Sequence, residues 1–471
     1  MPHVDQILRR SATLLAATVL LALAGCSVGP AYRRPAAPLP AAWTAPGGQS
    51  TAWPGRQWWQ SFGSATLDGY VQQALAASDD IAAAVARVRE ADAQARIAGA
   101  ALLPSVNGQL IAEREKTFVP PIGGPIVAGL EPTINASYEV DFWGRNRAAR
   151  QAALLAAQAS GFDRETVVLT VLSGVATDYF QALENRDRIS VAQNNLGAAE
   201  HILQGLQTEQ EVGTATALDV AQQAAEVAVV NAGIPPLQQQ LRQSMNGLAV
   251  LLGRTPESLR FEDASLAQIS APAVLAGIPS QLLTRRPDIA EAEADLHEAN
   301  ANIRVARAAF FPNITLTASG GYASSYLDRL ITPQSTLYTL SATLAQDIFE
   351  GGALRGQYQY SRARYAELLA DYHQTVLSAL EDVENALVAV QQTAEQMRRQ
   401  QDAAAKAQSA YEFAQLQMAA GVTNILTVLN TETTLFTAQD QLVQVQYQHL
   451  AALIELYQAL GGGWQQGQTT L

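Results

Sequence analysis

Cysteine and histidine carry much of the nucleophilic, redox and metal chemistry of proteins, and this chain holds one cysteine and five histidines. The histidines, His3, His201, His297, His373 and His449, are scattered, without the short spacings that bring imidazoles onto one metal. No glycine-rich phosphate loop or nucleophile elbow accompanies them, and Gly461-Gly462-Gly463 is a glycine run near the chain end. No enzyme is expected, and no catalytic residue, cofactor or metal is assigned. Cys26 stands in a more telling place. A single thiol forms neither an intrachain disulfide nor a thiolate cluster. Arg9 and Arg10, however, precede an apolar run from Ala12 to Ala24 that ends in Leu23-Ala24-Gly25-Cys26. Such a run is shorter than the roughly 20 residues that span a bilayer, so it reads as a signal peptide. Small residues before a cysteine match the bacterial lipobox, which implies cleavage before Cys26 and acylation of its thiol and new amino terminus. Ser27 follows where an aspartate would favour retention in the inner membrane, so sorting to the outer membrane is expected. An ordinary signal peptide with an incidental cysteine is the alternative.

The charge balance, 43 acidic against 30 basic residues, argues against a nucleic-acid partner, which would need concentrated basic charge. Beyond the signal segment we find no run of about 18 apolar residues, which excludes a helical transmembrane protein. Hydrophobic content is 48% with only 7% aromatic, an Ala-, Leu- and Val-rich composition that suits long amphipathic helices.

What must position these parts is a duplicated chain. Residues 1–25 form the signal peptide and 26–55, rich in Pro, Ala and Gly, an extended tether. The rest divides into repeats at 56–265 and 266–471, related by a shift of about 205 to 208 residues. Ala100-Ala101-Leu102-Leu103-Pro104 answers to Ala308-Ala309-Phe310-Phe311-Pro312, and Asp141-Phe142-Trp143-Gly144 to Asp347-Ile348-Phe349-Glu350-Gly351. Further on, Val212-Gly213-Thr214 answers to Ala420-Gly421-Val422, and Leu251-Leu252-Gly253 to Ala459-Leu460-Gly461. Each repeat reads as helix, β-hairpin, long helix, glycine-containing turn and returning helix. Pro104 and Pro312 stop the first helices, because proline lacks an amide donor and biases its predecessor towards extended geometry.

The hairpins, expected at 106–142 and 313–349, alternate with a period of two: Val106, Gly108 and Leu110 against Asn107 and Gln109, or Tyr338, Leu340 and Leu344 against Thr339 and Thr343. Turns are expected at Val119 to Gly129 and around Asp328 to Gln334. Proline-free stretches from Arg145 to Glu211 and Ala353 to Ala419 predict helices reaching about 100 Å at 1.5 Å per residue. The helices returning from the tips near 213 and 421 should differ, because Pro235-Pro236 breaks only the first.

Four strands cannot close a barrel, and an open edge does not survive in hydrocarbon. Two chains would supply eight strands, a barrel filled by its own side chains. Three would supply twelve, enough for a lumen. If the strands are instead a soluble sheet, the chain is a periplasmic scaffold.

The stretch Arg285-Arg286-Pro287-Asp288-Ile289-Ala290-Glu291-Ala292-Glu293, continuing to Phe310-Phe311-Pro312, resembles the hallmark of the TolC-like outer-membrane factor family, in its efflux-lipoprotein branch. Trp58-Trp59-Gln60-Ser61-Phe62, both tip sequences, the ending Ala459-Leu460-Gly461-Gly462-Gly463-Trp464 and the lipobox extend the likeness over essentially the whole chain. The resemblance implies a mixed α and β, mainly α fold. It implies a homotrimer whose twelve-stranded outer-membrane barrel, four strands per chain, continues as a long periplasmic α-helical barrel. It also implies passive conduction of small-molecule cargo in a tripartite efflux pump, with outer-membrane lipid, a periplasmic adaptor protein and an inner-membrane transporter as partners. A type I protein-secretion duct is the alternative within the family. By the same resemblance the adaptor docks at Val212, Gly213, Thr214, Gly421, Val422 and Thr423, and the pore narrows at Leu426, Thr427 and Asn430. Thr427 and Asn430 are neutral where relatives commonly carry aspartate, which puts an acidic ring in doubt. For Asp219 and Glu432, the nearby carboxylates, a solvated helix face is expected, and for Arg286-Pro287-Asp288 an architectural helix start. The identity of the cargo stays open.

Overall fold

The computed structural model describes residues 28–37, 39–44, 53–116, 126–261, 264–274 and 276–467. The signal peptide and Cys26 lie outside the described residues. The first repeat holds α1 (Ala65–Ala77), α2 (Asp79–Ala100), β1 (Ser105–Lys116), β2 (Ile126–Glu139), α3 (Arg145–Glu211) and α4 (Ala217–Leu251). In the second come α5 (Pro287–Ala308), β3 (Asn313–Tyr322), β4 (Thr336–Ala345), α6 (Ala353–Ala419) and α7 (Ile425–Ala459). Counterpart helices have equal lengths, 22, 67 and 35 residues, and each pair is displaced by 208 residues, as Arg145 and Ala353 show. β1 and β3 begin at the same displacement.

The chain divides into two compact units. One, made of residues up to 36, 87–161 and 291–372, contains a single antiparallel sheet in the order β1-β2-β3-β4. β2 joins the repeats by pairing with β3, setting Ala136 opposite Ala318. Three strand bounds differ from the sequence reading, the first being that β4 ends at Ala345 and not near 349. β2 starts at Ile126, so Gly129 sits opposite Glu113 in the ladder rather than in a turn, and residues 117–125 lie outside the described residues. Past Glu139 the chain leaves the sheet, because Asp141 turns to the start of α3. Its carboxylate accepts the backbone N–H groups of Asn146 and Arg147, at 2.9 Å each, which the helix leaves without internal partners.

In this unit the tether is docked where the sequence suggested a plain spacer. The Pro30 carbonyl accepts from Asn300 Nδ2 at 3.3 Å, Tyr32 stacks on His297 with centroids 4.2 Å apart, and Arg34 pairs with Glu293 at 2.6 Å. Glu293, His297 and Asn300 fall on one face of α5 at spacings of four and three, so the five residues from Pro30 to Arg34 lie along that face.

The other unit comprises 37–86, 162–290 and 373–471. Its core gathers Phe62, Tyr179, Phe180, Leu248, Leu252 and Tyr457, with Phe62 edge-on to Phe180 at 5.1 Å. Trp43 and Trp53 fasten the later tether here, donating to the carbonyls of Gly277 and Leu460. Arg286, the second arginine of the hallmark, is nearly buried and forks onto Asp288 at 3.0 and 2.6 Å. It also reaches Asp382 on α6 and the Ala459 carbonyl at the end of α7, at 3.0 Å each. A cation that meets a free carboxyl-terminal carbonyl complements the helix dipole, so the hallmark ties a helix start to a helix end.

One expectation fails on α4. Pro235 and Pro236 lie inside α4, which runs unbroken and matches α7 in length. The amides they lack would have bonded to the carbonyls of Asn231 and Ala232, both on exposed residues where water can take their place. Among the described residues α3 also carries a window apolar enough to cross a membrane, but half of it is buried within the protein. Its apolar residues build the core around Leu172, Val175 and Tyr179.

Candidate functional site: helix tips and sheet faces

Both tips end their long helices in the same way. Thr214 N–H donates to the Glu209 carbonyl at 2.8 Å and Gly213 N–H to Gln210 at 3.1 Å; Val422 donates to Gln417 and Gly421 to Met418, at 2.9 Å each. These six-to-one and five-to-two bonds form a Schellman turn, whose residue after the cap needs a positive φ. Gly213 has φ +82° and Gly421 φ +71°. Their glycines meet no neighbour within 4 Å, so backbone conformation rather than space demands them. Each turn leaves an apolar side chain in solvent, with Val212 73% and Val422 75% exposed.

The returning helices then start with different caps. Thr216 and Asp219 form a reciprocal capping box, the Asp219 carboxylate accepting from Thr216 N–H at 2.8 Å and from its hydroxyl at 2.7 Å. These hydrogen bonds lower the Asp219 pKa. In the second repeat Asn424 caps α7, accepting the Thr427 amide at 3.3 Å. Thr427 thus takes the place of Asp219 without its charge. Leu426, Thr427 and Asn430 are all exposed and lie within one turn of each other on α7, while Ile425 just before them and Val428 among them are buried. The three residues assigned to a constriction therefore share the solvent side of the helix.

Glu432 corrects the sequence reading, which put it on a solvated face. It is fully buried beside Gln223, with Ile425, Val428 and Leu435 in the same tip core. The Gln223 amide donates to the Ala199 carbonyl at 3.0 Å and, at 3.5 Å, to Glu432 Oε2. Burial pushes the carboxyl up to about 7, with Glu226 adding repulsion and the Gln223 amide partly opposing. Residues 223 and 432 come from different repeats, so no local spacing announced their meeting.

In the other unit the sheet separates by chemistry. Asn107, Asn135, Ser319 and Thr339 stand opposite one another across all four strands, and so do Val106, Ala136, Ala318 and Leu340. Opposed residues share a face. One face is polar and the other apolar, and Val106, Leu110, Ile134, Leu340 and Leu344 are left exposed on the latter. Within the described residues β1 and β4 are edge strands with no outer partner. This is the alternation of a sheet with lipid on one side and water on the other. Of the histidines, His297 holds the tether, His449 shares a hydrogen bond with Thr393 at 3.0 Å, and His201 is exposed.

A family model described as outer membrane efflux protein matches residues 70–254 and again 278–462, the same displacement of 208. The pyoverdine export outer membrane protein OpmQ of Pseudomonas aeruginosa is 42% identical over 97% of this chain and 97% of its own. The toluene efflux pump outer membrane protein TtgF of Pseudomonas putida is 33% identical over 96% of each. Among solved structures, the outer-membrane channel OprN matches with a TM-score of 0.87 at 26% identity, over 93% of this chain and 100% of that one. CusC matches with 0.85 at 28% over the same shares. The chain belongs to the outer membrane efflux protein family, and it is a TolC-like efflux channel of the outer membrane with a large periplasmic part.

Proposed function

We propose that three copies of this chain close one twelve-stranded barrel and together conduct small-molecule cargo out of a tripartite pump. The observation that carries the proposal is the four-stranded sheet, apolar on one face and, among the described residues, unpartnered at both edges. Such a sheet is too narrow to close alone, and an unpaired edge is not tolerated in hydrocarbon. In this reading Leu426 forms the constriction ring with the neutral Thr427 and Asn430 beside it. The turns at Val212, Gly213, Thr214, Gly421, Val422 and Thr423 receive the hairpins of a periplasmic adaptor, and an inner-membrane transporter supplies the energy. Acylated Cys26 anchors the amino terminus. The relatives named for pyoverdine and toluene support small molecules as the cargo class.

The test is the native mass of detergent-extracted protein together with its gel migration before and after heating. A particle of three chains whose folded barrel migrates differently after boiling is expected; a monomer with no heat-dependent shift would refute the proposal.

A further inference from the structure

The charged residues of the four strands divide by sign between the two faces of the sheet. They are Glu113, Arg114, Glu115 and Lys116 at the end of β1 and Glu131 and Glu139 in β2; β3 and β4 have none. The unbroken register sets Glu113, Glu115 and Glu131 on the polar face, opposite Gly129, Val127 and Ile111, and Glu139 joins them opposite Thr315. Arg114 and Lys116 instead continue the apolar row of Val106, Gly108, Leu110 and Ala112, and stand opposite Ala128 and Ile126. All other residues on that face, from β1 to β4, are uncharged. Both cations are exposed and, among the described residues, neither is in an ion pair, since the glutamates beside them in sequence lie on the other face.

The place of this pair along the strand fits the rim of a membrane. α2 and α3 adjoin the sheet at Ser105 and Glu139, so that end faces the periplasm and the far end of the β1–β2 hairpin faces the exterior. At about 3.4 Å per residue Arg114 and Lys116 lie roughly 27 and 34 Å beyond Val106, which the usual tilt of barrel strands reduces to about 20 and 26 Å of depth. The apolar band of an outer-membrane barrel is about 25 Å tall, so both cations reach its outer boundary. There a lipid-facing cation costs little, because its stem stays in hydrocarbon while its head meets the polar layer. Tyr322 and Tyr338, on the same face at the outward ends of β3 and β4, are aromatic residues of the kind that mark such a boundary. Cations so placed, without a partner in the protein, meet anions only from the lipid. We propose that Arg114 and Lys116 bind the phosphate groups of lipid A, the phosphorylated glycolipid of the outer leaflet, and hold it against the outside of the barrel. This rests on the barrel reading, to which it adds a lipid recognised by charge. Glu113 and Glu115 repel the same phosphates, so β1 offers them one side only.

The test titrates the purified full-length protein, in neutral detergent, with fluorescently labelled diphosphoryl lipid A. Saturable binding is expected, roughly tenfold or more tighter than that of the same lipid with its phosphates removed. Arg114→Gln with Lys116→Gln should weaken it roughly thirtyfold, the combined worth of two cations at an anionic surface. Glu113→Gln with Glu115→Gln, on the same strand but the other face, should not weaken it. Equal affinity for the two lipids, or full affinity after loss of both cations, overturns the proposal. So does an equal loss from the glutamate pair, or displacement of the lipid by inorganic phosphate at matched concentration, which would assign the cations to free phosphate. The comparison of the two lipids uses the unaltered chain and so does not depend on any variant folding. A wild-type monomer without a heat-dependent gel shift refutes the barrel reading itself, whereas charge-independent binding by a heat-modifiable oligomer refutes the lipid site alone.

Discussion

At each tip one backbone angle decides whether the chain can turn. Because Gly213 and Gly421 have positive φ and open space around them, Gly421→Ala adds strain without a clash. The tip should lose about 1 kcal/mol of local stability, measured as faster amide exchange over residues 421–430; unchanged exchange would show that the turn does not depend on its glycine. Glu432 makes a different prediction. Its carboxyl is held neutral up to about pH 7 in the folded protein, whereas in the unfolded chain it ionises near its ordinary value of 4.5. Stability is therefore fullest below the unfolded value and falls as pH rises from there towards 7, by up to about 3 kcal/mol. Replacing it as Glu432→Gln should flatten that slope between pH 5 and 8 in thermal unfolding, and an equally steep slope in the variant would assign the pH dependence elsewhere. Of these residues, the glycines and the Thr216–Asp219 cap are legible locally, because a turn and a cap are each fixed by neighbours in sequence. Glu432 is not, since its burial comes from helices more than 200 residues apart.

Among the elements, the hallmark arginine makes the sharpest claim. Arg286 binds two carboxylates and a helix-terminal carbonyl while nearly buried. Arg286→Ala leaves Asp288 without its fork and α7 without its cationic stop, and should cost about 3 kcal/mol in unfolding. Arg286→Lys should restore little, because an ammonium cannot reproduce the planar two-pronged contact. Full stability in either variant would refute the clamp. The long helices were readable from alanine-rich, proline-free stretches, and the strands from their alternation of apolar and polar residues. Pro235-Pro236 misled because proline removes a donor without forbidding a helix whose freed carbonyls face water. The tether misled because its contacts with Glu293, His297 and Asn300 are made across some 260 residues of sequence, which no local composition reports.

For the whole molecule, the duplication was the strongest sequence signal, and the constant displacement of counterpart helices shows why: one architecture is used twice with the two repeats joined between β2 and β3. Among the described residues β1 and β4 are unpaired on their outer sides while β2 and β3 are paired on both, a mismatch that an assembly of several chains would resolve. In the proposed assembly gating is collective, because only several copies of α7 would set Leu426, Thr427 and Asn430 around a common opening. With no carboxylate among these three, block by multivalent cations should be weak. Conductance of the purified protein in a planar bilayer, wild type against Leu426→Ser, is the decisive measurement of a channel gated at its tips. A small fluctuating conductance that grows several-fold in the variant, while the oligomeric mass stays unchanged, is the predicted result; no channel activity from correctly folded oligomer, or a conductance indifferent to Leu426, would contradict it.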